Sequence, residues 1–138
     1  MKYLSIIILP LLLLLGSCKT NKDCICPNLF EPVCGSNGKT YDNACLAECD
    51  DVSYISGECP VYGIGLVQFY GDTSQNGCGY FINILNKKYK PLELSPQFQQ
   101  DELLVSLRYR KLNEYYICDN PYGNYRKIEI LEIEGINP

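Results

Sequence analysis

Six cysteines stand between Cys24 and Cys59, a stretch of 36 residues with few large apolar side chains. A segment that small cannot bury enough surface to fold by hydrophobicity alone, so cross-links must hold it. The spacing is Cys24-x-Cys26-x7-Cys34-x10-Cys45-x3-Cys49-x9-Cys59. It leaves the pairing open, since six cysteines can join in many ways. Cys24-Ile-Cys26 and Cys45-x3-Cys49 could also be drawn as a thiolate metal site. The chain has no histidine, however, and exported proteins rarely keep six thiolates reduced, so no metal or cofactor is expected.

Export is read from the first residues. Lys2 precedes an apolar run from Leu4 to Leu15, broken only by Ser5 and Pro10 and ending at small residues. The run is too short to span a bilayer comfortably and reads as a signal peptide. Leu15-Gly16-Ser17-Cys18 resembles the bacterial lipobox. That resemblance implies a leader over 1–17, cut before Cys18, with palmitate-type acyl chains on Cys18 and a lipidated tether over 18–23. Each buried CH₂ contributes about 0.8 kcal/mol to such an anchor. The expected location is the outer side of a bacterial membrane, at the outer membrane or cell surface. The alternative is an ordinary signal peptide with Cys18 there by chance. Setting Cys18 aside leaves eight of the nine cysteines, an even number suited to disulfides.

Composition excludes several function classes. Without histidine, Ser-His-Asp and Cys-His nucleophile systems are absent. No phosphate loop, GxSxG or GxGxxG occurs. The acidic neighbours Asp50-Asp51 and Asp101-Glu102 read as solvated surface, and no enzyme is expected. After removal of the leader, 11 basic residues face 16 acidic ones. Six of the acids (Glu31, Asp42, Glu48, Asp50, Asp51, Glu58) lie between Cys24 and Cys59 beside Lys39 alone. A nucleic-acid partner would need a clustered basic face and is not expected. Lys87, Lys88 and Lys90 around Tyr89 are the one basic knot, taken as decoration of a hairpin.

Between the third and fourth cysteines runs Cys34-Gly-Ser-Asn-Gly-Lys-Thr-Tyr-Asp-Asn-Ala-Cys45, preceded by Pro32-Val33, and Gly57-Glu58-Cys59 closes the segment. Locally, Ser36-Asn37-Gly38 is a turn signal and Lys39-Thr40-Tyr41 a short strand. Asp42 or Asn43 can cap a helix through Ala44–Cys49, and Val52–Ile55 reads as a return strand. The string and its spacing resemble the Kazal family of serine protease inhibitors. The resemblance covers residues 24–59. It implies a small disulfide-rich α+β module with one short helix and a small antiparallel sheet, paired Cys24–Cys49, Cys26–Cys45 and Cys34–Cys59.

The resemblance also implies a reactive loop of Cys26, Pro27, Asn28, Leu29, Phe30 and Glu31. The cleavable bond would follow Asn28, the P1 residue, and precede Leu29, the P1′ residue. Asn43 matches the family's loop-bracing asparagine and Tyr41 its packing tyrosine. Pro27 fixes its own φ and biases Cys26 toward extended geometry, and Pro32 does the same for Glu31. Leu29 and Phe30 are expected to stay exposed for a partner to cover. Pro27 and Leu29 stand where family members often carry threonine and an acid that bond across the cleavable bond. Asn28 is short and uncharged for a P1 residue. A serine protease of subtilisin-, elastase- or chymotrypsin-like specificity is the implied partner.

After Cys59 the composition changes: residues 60–138 hold nine of the twelve tyrosines and only Cys78 and Cys118. Strand signals cover Val61–Tyr70, Gly79–Leu85, Tyr89–Leu94, Leu103–Lys111, Tyr115–Cys118 and Lys127–Glu134. Turns are marked by Gly71-Asp72, Asn76-Gly77, Asn86-Lys87 and Asn120-Pro-Tyr-Gly123, with a helical turn near Ser95–Gln100. This predicts an all-β antiparallel barrel or sandwich closed by Cys78–Cys118, a link contributing roughly 3–4 kcal/mol through chain entropy. The barrel's role is not legible, and the default is a scaffold on which the small module acts independently. The rival to inhibition is a binding or adhesion lipoprotein in which the Kazal-like module is a spacer and the tyrosine-rich domain holds the ligand.

Overall fold

Residues four apart on a helix share a face, so Cys45 and Cys49 both point from α1 (Ala44–Cys49) toward the segment before the loop. The computed structural model describes residues 24–119 and 122–136. The leader 1–17, Cys18 and the tether 18–23 lie outside the described residues. Disulfides Cys24–Cys49 and Cys26–Cys45 tie that segment to α1, and Cys34–Cys59 closes the far side. A sheet of β1 (Val33–Gly35), β2 (Thr40–Tyr41) and β3 (Tyr54–Ser56) runs in the order β2-β1-β3, all antiparallel. Its buried centre is Val33, Tyr41 and Ala47, a core of only three residues. The return strand starts at Tyr54 rather than Val52.

The remaining chain is a closed five-stranded barrel. Around it run β4 (Val61–Phe69), β5 (Tyr80–Ile84), β6 (Lys87–Pro91), β8 (Tyr122–Gly135) and β7 (Leu104–Asp119), which returns to β4. Closure leaves no sheet edge to be covered. Val105, Leu107 and Tyr109 alternate with Ser106, Arg108 and Arg110 in β7, and the first set is buried with Val67, Ile82, Ile84, Tyr89 and Ile128. A second cluster gathers at one end, where Tyr70, Tyr116 and Tyr125 pack on Phe81 and the Cys78–Cys118 disulfide.

Three expectations change. Five contacts close the barrel, but β6 meets β8 in parallel, at Lys90↔Lys127 and Pro91↔Ile128, because β8 enters between β6 and β7. The strands expected over 103–111 and 115–118 are one strand, β7. The pattern break at Leu112-Asn113-Glu114 is a bulge, and β8 pairs with β7 on both sides of it. Strand β6 starts at Lys87 because Leu85 and Asn86, both at positive φ, form the whole β5–β6 turn.

Lys90 also departs from the surface role given to the basic knot. Its Nζ donates to the carbonyls of Cys78 (2.7 Å) and Tyr80 (3.2 Å) and lies over the rings of Phe81 and Tyr116. Burial pushes its pKa down.

Candidate functional site

Asn43 sits where the small module's elements converge. Its extended backbone (φ −160°, ψ 169°) makes it the N-cap of α1, and its Oδ1 accepts from Leu46 N at 3.1 Å. This arrangement satisfies one of the donors a helix start leaves open. The same side chain, 6% exposed, turns its amide nitrogen to the loop. Nδ2 donates to Pro27 O at 3.1 Å and to Leu29 O at 3.0 Å, the carbonyls on either side of Asn28. One buried amide thus fixes the helix start and the two peptide groups, 27–28 and 29–30, that bracket the Asn28–Leu29 bond.

The rest of the loop is held from below and left open above. Cys26, half-buried, is bonded to Cys45, the second residue of α1. Glu31 N donates to Asp42 O at 2.9 Å, pinning the loop's far end beside Asn43. Pro32 is buried, while Pro27, Asn28, Leu29, Phe30 and Glu31 are exposed, Leu29 at 51% and Phe30 at 67%. Two apolar side chains therefore stand in solvent on a backbone fixed at both shoulders. Tyr41 is held within the small module's core. It is buried opposite Val33, and its hydroxyl donates to Asp50 and accepts from Asn37 Nδ2, both at 2.9 Å.

The barrel meets this module directly, which the sequence reading did not foresee. Glu58 N donates to Lys111 O, and the Glu58 carboxylate accepts from Lys111 Nζ (3.0 Å) and Arg126 Nη1 (2.6 Å). Burial works to raise the Glu58 carboxyl, but the hydrogen bonds and charges of Lys111 and Arg126 outweigh it and hold the pKa below the ordinary range. On Lys111, burial works downward and the Glu58 contact outweighs it, leaving that pKa raised. Asn113 Nδ2 donates to Pro32 O at 2.9 Å, the carbonyl that also receives Gly57 N. Gly57 lies at φ +94°, and a Cβ there would stand 2.7 Å from Lys111 O, so the close approach needs glycine. Asn113 and Arg126 carried no recognisable motif, and Glu58 was read only as part of the closing Gly57-Glu58-Cys59. The available signal was the broken alternation at Leu112-Asn113-Glu114.

Cys24, Cys26 and Cys49 bring their sulfurs within 4.8 Å of one another, a spacing a metal site would share. All three are in disulfides, and a disulfide sulfur is not a thiolate ligand. Asp50 and Asp101 hold structure: Asp50 accepts from Tyr41 and Asp101 from Phe69 N.

Comparison with known proteins agrees with the cysteine frame. Residues 21–62 match the Kazal-type serine protease inhibitor domain. A Kazal-type trypsin inhibitor of Aedes aegypti is 39% identical over 51 residues, 35% of this chain and 56% of that protein. The serine protease inhibitor dipetalogastin of Dipetalogaster maximus is 50% identical over 28 residues, 20% of this chain and 8% of its own length. A mouse solute carrier organic anion transporter, family member 1B2, is 41% identical over 61 residues, 44% of this chain and 8% of the transporter. The chain thus spans about half of the mosquito inhibitor and a small part of the other two. No solved structure matches the chain. The amino-terminal module, residues 21–62, is a Kazal-type serine protease inhibitor domain.

Proposed function

We propose that this chain inhibits a serine protease through the loop 26–31, which enters the cleft as an extended substrate with Asn28–Leu29 as the cleavable bond. The observation that carries the reading is Asn43, whose single amide group grips Pro27 O and Leu29 O across residue 28. The relatives include both inhibitors and a transporter, so the matched segment alone does not decide activity. The loop's construction supports inhibition. A backbone ordered before binding forfeits little entropy on association, so the exposed Leu29 and Phe30 contribute almost undiminished.

The same construction limits turnover. A protease that cuts Asn28–Leu29 forms an acyl-enzyme on Asn28, but Leu29 stays fixed through its carbonyl and through Glu31 N. Its amine is kept beside the acyl carbon and competes with water. We further infer that a lipid on Cys18 presents the module from the outer side of a bacterial membrane. Its support is the Leu15-Gly16-Ser17-Cys18 string.

An inhibition panel of subtilisin-, elastase- and chymotrypsin-like enzymes tests the first statement. At least one should be held in a lasting complex, and Asn28→Leu should tighten subtilisin or chymotrypsin binding by about tenfold or more, because the P1 side chain is the central anchor. No inhibition by either form would leave the module as a spacer. For the anchor, labelled palmitate should enter the wild type expressed in bacteria and not Cys18→Ala; equal labelling would contradict it.

A further inference from the structure

The loop's C-terminal shoulder is shared with the barrel. Pro32 O accepts two hydrogen bonds, from Gly57 N inside the small module and from Asn113 Nδ2 outside it, each 2.9 Å. Asn113 stands in the β7 bulge, between the last pair before it, Lys111↔Ile128, and the first after it, Tyr115↔Arg126. A bulge frees a residue from the ladder and re-aims its side chain. Here the amide is oriented from its other end: Arg126 Nη2 donates to Asn113 Oδ1 at 3.3 Å, which turns Nδ2 toward Pro32. Arg126 is itself set by Leu112 O and the Glu58 carboxylate. The geometry parallels Asn43, whose Oδ1 is also engaged so that Nδ2 faces the loop.

We propose that the barrel is a working part of the inhibitor, and that Asn113 is a positioning residue for the segment following the cleavable bond. The inference rests on the substrate-like reading of loop 26–31. After cleavage, residues 29–31 have a free end. Their attachments are Leu29 O to Asn43, Glu31 N to Asp42 O, and the Pro32 carbonyl. In religation the Leu29 amine attacks the Asn28 acyl carbon. The C–N bond forms as the ester bond to the protease serine breaks, and the proton shed by nitrogen returns to the serine oxygen. A fixed Pro32 keeps that amine in place. Asn113 is exposed, and its Pro32 contact is one of several bonds at the joint, beside Glu58 N to Lys111 O and the two cations on Glu58.

The test uses the full chain with subtilisin, following the equilibrium ratio of intact to nicked Asn28–Leu29 from both directions, with the inhibition constant and thermal midpoint alongside. Asn113→Ala removes both amide contacts. Asn113→Asp removes the donor to Pro32 but keeps an oxygen for Arg126. Both variants should shift the ratio toward the nicked form and weaken inhibition by about fivefold, the worth of one hydrogen bond. Asn113→Asp should keep the wild-type thermal midpoint. If wild type inhibits while both variants keep its ratio and inhibition constant, Asn113 does not position the loop and the proposal is overturned. It is equally overturned if only Asn113→Ala changes and its midpoint falls in parallel, which would assign the residue to the stability of the joint. If unmutated protein neither inhibits nor reaches such an equilibrium, the loop reading fails first and takes this inference with it.

Discussion

At the scale of single residues, asparagine suits position 43 because it offers an acceptor and a donor from one planar group. Serine or aspartate could cap α1, but neither supplies an amide N–H pair for Pro27 O and Leu29 O. The two roles can be separated by substitution. Asn43→Ala should lose the cap, at about 1 kcal/mol, and the loop contacts, at about 1 kcal/mol or more. Asn43→Asp should keep helix-cap stability while still exposing Asn28–Leu29 to faster cleavage. Thermal denaturation together with mass spectrometry of the nicked chain reads both effects. Equal cleavage rates for wild type and Asn43→Asp would show that the amide does not brace the loop. This residue was legible in the sequence because a short string of known spacing carried it. Asn113, performing a parallel task, was not, because its role depends on a bulge and on Arg126 arriving from another strand.

At the scale of elements, local chemistry was read well and pairing less so. The alternation in β7 and the cap and length of α1 follow from side-chain period and capping, which are visible over a few residues. The continuity of β7 through residues 112–114 and the parallel β6–β8 contact depend on which strand arrives alongside, and no window of sequence contains that. The joint between β7, β8 and the small module is electrostatic in part, so it responds to pH. Glu58 is held below its ordinary pKa of 4.5, so its stabilising share is complete above that pH and is lost as pH falls through the lower folded value. Lys111 is held above its ordinary 10.5, so its share is complete below that pH and is lost as pH rises further. Thermal midpoints of wild type and Glu58→Gln should therefore differ by a constant amount between about pH 5 and neutrality and converge below about pH 4.5. A gap that persists unchanged at pH 3 would mean that the carboxylate charge does not hold the joint.

At the scale of the whole molecule, two folding strategies share one chain. The small module has a buried core of only Val33, Tyr41 and Ala47 and depends on three disulfides. The barrel has eight buried residues in its main cluster and needs its one disulfide less. Setting the first against the second gives the loop a rigid base on two sides, Asn43 beneath Asn28 and Asn113 beneath Pro32. The tyrosines are divided in the same spirit: Tyr89 and Tyr109 are buried, whereas Tyr62, Tyr115 and Tyr122 are exposed. On this base, we propose, the loop acts as a substrate that can be nicked but not released. The most direct measurement is a time course of the intact chain with subtilisin-, elastase- and chymotrypsin-like enzymes, following residual protease activity and the Asn28–Leu29 bond together. With at least one enzyme, activity should stay suppressed while cleavage proceeds slowly and stops at a mixture of intact and disulfide-held nicked chain. Rapid, complete degradation by every enzyme with full recovery of activity would contradict it.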